Sequence, residues 1–115
     1  MGKDKLRKFA EIDTFPNVYQ LEEGKSLKGN WAKTHFKNDY PIVLELACGK
    51  GEYSVGLAKT FPEKNFIGID IKGARFWFGA KEAVDNNMTN VAFLRSQIEL
   101  VDHFFAENEV DEIWI

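Results

Sequence analysis

The chain has 115 residues, 44% of them hydrophobic with ten Phe and three Trp, and a formal net charge of −3, which suits one soluble domain with a packed core. It has no run of about 18 apolar residues, which excludes a membrane-spanning helix, and its charged N-terminus lacks the apolar stretch of a signal peptide. The single cysteine, Cys48, excludes an internal disulfide and fits a reducing, cytoplasmic setting, and no Cys/His cluster has metal-ligand spacing, so no metal is expected.

Residues 1–38 hold eight Lys+Arg and five Asp+Glu, whereas residues 39–115 hold seven and thirteen. The chain therefore divides into a basic N-terminal arm, 1–38, and an acidic unit, 39–115. Residues 1 to about 20 show no clear period and are expected to lack fixed structure, with Phe9, Phe15 and Tyr19 as the bulky anchors. Lys3, Lys5, Arg7 and Lys8 make this arm a candidate for phosphate contacts; a solubilising tail is the other reading of the same charges. Gly29-Asn30 marks a turn, and a short helix is predicted from Trp31 to Phe36.

Beyond Tyr40-Pro41 the pattern becomes regular. Ile42–Leu46 is apolar and β-branched, as in a buried parallel strand. A helix is predicted from Glu52 to Thr60 with Pro62 beyond its end, and Tyr53, Leu57 and Phe61 share one face. Phe66–Ile69 is a second strand. A helix over Gly73–Asp85 follows and stops at Asn86-Asn87. Its Phe76-Trp77-Phe78 run cannot face one way, because successive helical residues lie about 100° apart. At least one ring must leave the sheet-facing stripe, either to pack on the N-terminal segment or to face a partner. Val91–Leu94 is a third strand, a helix is predicted over Glu99–Ala106 that buries Leu100, Val101, Phe104 and Phe105, and a fourth strand begins near Glu112. Regular alternation of strand and helix predicts a parallel sheet with right-handed crossovers and helices on both faces. Counting from Ile42–Leu46, the expected strand order is 3-2-1-4.

The chemistry concentrates in Glu45-Leu46-Ala47-Cys48-Gly49-Lys50-Gly51, where a strand ends in an acid and opens a small-residue loop. Gly49 and Gly51 fit two places of the dinucleotide fingerprint, but the third falls on Ser54; a P-loop would need Ser or Thr after Gly49-Lys50, and Gly51 stands there. Glu45 also repels a pyrophosphate. A carboxylate there suits a cofactor with a cationic amino-acid end, which describes S-adenosylmethionine. Asp70 closes the second strand at roughly the 20-residue interval expected of an acid that binds ribose hydroxyls. Glu45 and Asp70 each read otherwise as solvated strand ends; together, at successive strand ends, they describe a cofactor site. Cys48 in the loop has no nearby His and reads as a small structural residue rather than a nucleophile.

With Glu45–Tyr53 and Asn65–Arg75 as its most specific segments, and with Leu27–Trp31, Asn90–Leu94 and the opening Met1–Phe9 in support, the chain resembles the bacterial tRNA (guanine-N7-)-methyltransferases. The resemblance implies an α/β, Rossmann-like class I methyltransferase fold, S-adenosylmethionine as cofactor, and tRNA as partner and substrate. It implies that Glu45 holds the methionine end directly or through water, that Ala47, Gly49 and Gly51 form the loop against which the cofactor lies, that Asp70 binds the ribose and that Ile71 packs on the adenine. Two positions depart from the family pattern. Ala47 stands where the family has Gly, and its methyl crowds the cofactor. Gln97 stands where the family often has an acid near the adenine; a carboxamide still accepts from the adenine amino group. The resemblance also places the catalytic aspartate in a Phe-Pro-Asp-Pro motif beyond Ile115, so that this chain is expected to carry the cofactor-binding half, truncated after the fourth strand and itself inactive. The apolar last strand, Glu112-Ile113-Trp114-Ile115, is expected to offer an edge for self-association. A non-catalytic cofactor- or partner-binding module, and a methyltransferase for a small acceptor, remain open from the residues alone.

Overall fold

The computed structural model describes Gly2–Ile115, with side chains described from Asp4 onward. Five parallel strands form one sheet: β1 (Val18–Tyr19), β2 (Ile42–Leu46), β3 (Asn65–Asp70), β4 (Val91–Arg95) and β5 (Glu112–Trp114), in the spatial order β1-β4-β3-β2-β5. The order differs from the expected one by an added edge strand. Val18 and Tyr19 pair with Phe93 and Leu94 outside β4, while the last four strands lie as β4-β3-β2-β5. Two residues carry too little pattern to read as a strand from sequence; the free edge of β4 recruits them.

The helices are α1 (Gly2–Ile12), α2 (Leu21–Ser26), α3 (Glu52–Thr60) and α4 (Gly73–Asp85), with a π-helical turn at Trp31–Phe36 and a 3-10 helix at Ile98–His103. The expectation of a first segment without fixed structure is corrected by α1. Its Ile12 is fully buried in the core beneath α4, where a Cβ on Gly73 would lie 2.4 Å from Ile12 Cδ1. Tertiary packing of this kind, rather than intrinsic propensity, stabilises most short helices. The helix predicted over Glu99–Ala106 is shortened to the 3-10 helix, and Phe104 and Phe105 are buried beyond its end.

Side chains alternate across each strand and build two cores. On one face Val43, Phe66, Val91 and Phe93 meet Val55, Ala58, Phe76 and Ala80 of α3 and α4, with Phe76 and Phe93 stacked at 5.3 Å. On the other, Ile42, Leu44, Ile67 and Leu94 meet Leu27, Trp31, Phe36, Phe104 and Phe105, and the Trp31 indole N–H donates to the Phe104 carbonyl at 2.8 Å. Because β2, β3 and β4 step in one direction, α3 and α4 share a face; the reversed step from β4 to β5 puts the 98–105 segment on the other. The face of α3 also needs correction. Ser54, Val55 and Ala58 are buried, whereas Tyr53 and Phe61 are exposed. Only small side chains fit where α3 lies close to β3 and α4.

Candidate functional site

The loop from β2 to α3 places three alternate residues in the left-handed region: Ala47 at φ 57°, Gly49 at 58° and Gly51 at 79°. Glycine adopts this conformation without penalty, and alanine at a cost. Backbone bonds hold the loop at the carboxyl edge of the sheet. Cys48 N–H donates to the Ile69 carbonyl at 2.9 Å, Gly51 N–H to the Cys48 carbonyl at 3.0 Å, and Gly79 N–H of α4 to the Lys50 carbonyl at 2.8 Å. Cys48 turns inward against Gly68, and burial pushes its thiol well above the ordinary range, which fits a packing residue and not a nucleophile.

Asp70 ties the two strand ends together. It is 5% exposed, and its carboxylate accepts Gly49 N–H on one oxygen and Lys72 N–H on the other, each at 2.9 Å. Each oxygen keeps a further lone-pair direction. Above it opens a cleft of about 370 Å³ that Asp70 shares with Ala47, Ile71 and Gln97. Ile71 presents an apolar side chain, 49% exposed, and the exposed Gln97 precedes the 3-10 helix. The structure thus brings together Ala47, Asp70, Ile71 and Gln97. Gly49 borders them: a Cβ there would have only the Arg75 guanidinium nearby, at 3.6 Å, so the bare backbone faces open space.

Two of the predicted residues lie elsewhere. Gly51 is buried, and a Cβ on it would come within 2.6 Å of the Phe93 ring, so close packing of the loop on the sheet requires this glycine. Glu45 lies beside α3 rather than on the cleft wall. Its carboxylate accepts the hydroxyl of the buried Ser54, and desolvation raises its pKa above the ordinary carboxylate value against the opposing pull of that hydrogen bond. Sequence reasoning missed Arg75, Ser96, Ile98 and Glu99, which complete the cleft. A signal for Arg75 was present: a cation near the start of a helix opposes the macrodipole and needs another reason to be there.

The basic arm is not a free tail. Arg7 pairs with Asp4 at 2.9 Å and with Glu11 at 3.3 Å, and its guanidinium lies 5.6 Å from the centroid of the Trp77 ring. Lys8 pairs with Asp4 at 3.2 Å and stands 4.3 Å from the Phe78 ring centroid. Lys5 is exposed, and the Lys3 side chain lies outside the described residues. Phe76, Trp77 and Phe78 diverge as their spacing requires: Phe76 enters the core, Trp77 packs on α1 with its indole N–H donating to Glu11, and Phe78 is exposed. Among the described residues no helix is long and apolar enough to cross a membrane.

A parallel sheet with a left-handed small-residue loop after β2 and an acid closing β3 defines a Rossmann-like α/β protein of the methyltransferase class. The chain belongs to the putative methyltransferase family, whose model matches residues 39–115. It is 55% identical to a tRNA (guanine-N(7)-)-methyltransferase of Bacteroides fragilis, over all of this chain and 48% of that one. To its counterpart of the same description in Christiangramia forsetii it is 59% identical, over 99% of this chain and 54% of that one. The chain thus spans about half the length of the curated relatives it matches. Among solved structures, PKMT2 from Rickettsia typhi in complex with AdoHcy superposes with a TM-score of 0.50 at 22% identity, over 86% of this chain and 19% of that one, which is a likeness of fold.

Proposed function

We propose that this chain is the S-adenosylmethionine-binding half of a cytoplasmic enzyme that methylates N7 of a guanine in tRNA. The observation that carries the reading is the cleft built by Asp70, Ile71 and Gln97 beside the open backbone of Gly49. The description shared by the relatives supports the acceptor. The donor set suits the cofactor in kind: a carboxylate with free lone pairs for a ribose diol, an exposed aliphatic side chain for a flat base, and a carboxamide for an exocyclic amine. The bound cofactor would supply an electrophilic methyl group on a sulfonium.

Guanine N7 carries a free lone pair, so no proton has to be removed before transfer, and catalysis reduces to orientation of the two reactants. Asp70 holds the ribose and, through Gly49 N–H, also sets the loop against which the cofactor lies. Ile71 and Gln97 fix the base. Glu45, beside α3, acts on the cationic end through water rather than by direct contact. No residue of the described chain is assigned the transfer step. The outer edge of β5, where Ile113 and Trp114 are exposed, is the surface through which the chain would self-associate.

Titration calorimetry with S-adenosylhomocysteine tests the cofactor assignment. Asp70→Ala alone is a poor probe, because it also leaves two backbone N–H groups without their acceptor. Gln97→Ala removes only an exposed side chain and should weaken binding by about 0.5–1.5 kcal/mol, the scale of one neutral hydrogen bond, with the urea midpoint unchanged. Absence of binding by the wild-type chain, or equal affinity of Gln97→Ala, overturns the cofactor or the adenine assignment respectively.

A further inference from the structure

We propose that a second, cationic cleft, between α1, the glycine loop and the first turns of α4, holds RNA phosphates flanking the base presented to the cofactor. The inference rests on the tRNA reading above and assigns that substrate a place on this chain. The cleft measures about 630 Å³, and Lys5, Lys8, Lys50, Lys72, Arg75 and Phe78 line it. Five cations thus face one carboxylate, Asp4, in a chain whose net charge is −3. Asp4 is already engaged by Arg7 and Lys8. None of the ion pairs among the described residues involves Lys5, Lys50, Lys72 or Arg75.

The exposed Phe78 ring organises this cluster. The Lys8 ammonium stands 4.3 Å from its centroid and the Lys50 ammonium 5.5 Å, so two elements far apart in sequence deliver charge to one ring. A cation held by a ring quadrupole keeps its charge available, as Lys50 does, whereas Lys8 is partly neutralised by its pair with Asp4. Gathering uncompensated cations is unfavourable alone and favourable around a polyanion. Position selects the occupant. Arg75 lines both this cleft and the cofactor cleft, so whatever fills the first lies one side chain from the second. A nucleotide whose base reaches the cofactor carries its neighbouring phosphates at that range. Lysines that meet phosphates set the register of the strand rather than read its bases.

The test compares three forms of the chain: wild type, Lys50→Ala/Lys72→Ala, and Lys28→Ala/Lys33→Ala, the last a pair of exposed lysines outside the cleft. Both double variants change net charge equally. Each is assayed for filter binding to a tRNA transcript across a potassium chloride series, and for S-adenosylhomocysteine by calorimetry. Loss of two phosphate contacts should flatten the log–log salt slope of Lys50→Ala/Lys72→Ala by roughly 1.4–1.8, with the control pair at the wild-type slope and cofactor affinity equal in all three. If the wild type binds tRNA and the slope is unmoved, or falls equally in the control, the cleft assignment fails and the tRNA reading stands. If the wild type binds S-adenosylhomocysteine but no tRNA, both fail. A loss of S-adenosylhomocysteine affinity confined to Lys50→Ala/Lys72→Ala would give these cations to the cofactor and overturn the proposal.

Discussion

At the scale of single residues the site turns on backbone conformation more than on side-chain chemistry. Ala47 sits at φ 57° with a side chain that offers no polar compensation, and such a conformation costs an L-residue about 1–2 kcal/mol relative to glycine. Ala47→Gly should therefore stabilise the chain by about 1 kcal/mol, offset in part by the greater freedom of glycine when unfolded. A rise in the urea midpoint checks this. The same substitution removes a methyl group from the cleft wall, so S-adenosylhomocysteine affinity should hold or increase. The acid at the end of β3 was legible from its spacing to the glycine loop. Its bridging of Gly49 and Lys72 was not, because two backbone N–H groups from different loops converge on it only after β2 and β3 pair in register. Gly51 shows the reverse. The motif presented it as a cofactor glycine, and packing against Phe93 explains it without a ligand.

At the scale of elements the decisive contact is the loop against α4. A Cβ on Gly79 would lie 2.7 Å from the Gly51 carbonyl oxygen and 2.9 Å from its Cα, and Gly79 N–H donates to Lys50. Gly79→Ala would gain up to about 1 kcal/mol of helix propensity. The clash is with backbone, which no rotamer change relieves, and overpacking of this kind costs about 1–3 kcal/mol. The balance should be a loss of stability, read as a lower melting temperature, with a parallel fall in S-adenosylhomocysteine affinity as the loop is pushed from the sheet. Strands β2 to β4 and helices α3 and α4 were readable from apolar runs and turn signals, and their bounds agree closely with the structure. The inward face of α3 was not. Tyr53, Leu57 and Phe61 carry the larger side chains, yet only Leu57 packs partly against the core; Tyr53 sits outside, 6.3 Å from the Trp114 ring, and the fully buried positions go to Ser54, Val55 and Ala58.

At the scale of the whole molecule His35 joins the N-terminal segment to the second core. The Tyr19 hydroxyl and its Nδ1 share a hydrogen bond, Trp31 and Phe36 pack around it, and burial, with Lys37 nearby, holds its pKa down to about 4. Between that value and the ordinary 6.5 the unfolded chain binds the proton and the folded chain does not. The stabilisation is therefore complete above about pH 6.5 and is lost as pH falls towards 4, by roughly 3 kcal/mol at the limit. Urea denaturation of wild type and His35→Gln at several pH values checks this: the wild type should lose more stability over that window, and parallel curves would contradict it.

The order of the apolar runs, the glycine loop and the acid at the end of β3 determined the parallel α/β class and pointed to the candidate cleft at the carboxyl ends of β2 and β3 before any packing was known, because these features depend on local spacing along one strand and one turn. What only the tertiary structure decided was everything that needs two distant segments to meet. Gly2–Ile12 is helical because Ile12 finds the floor of α4 at Gly73, Val18–Tyr19 is a strand because β4 has a free edge, and Asp70 has two backbone partners because two loops close over it. Lys8 and Lys50 reach one ring for the same reason. Long-range contacts decide wherever local preference is weak, and in this chain it is weakest in residues 2–38 and in the side chains that rim the two clefts.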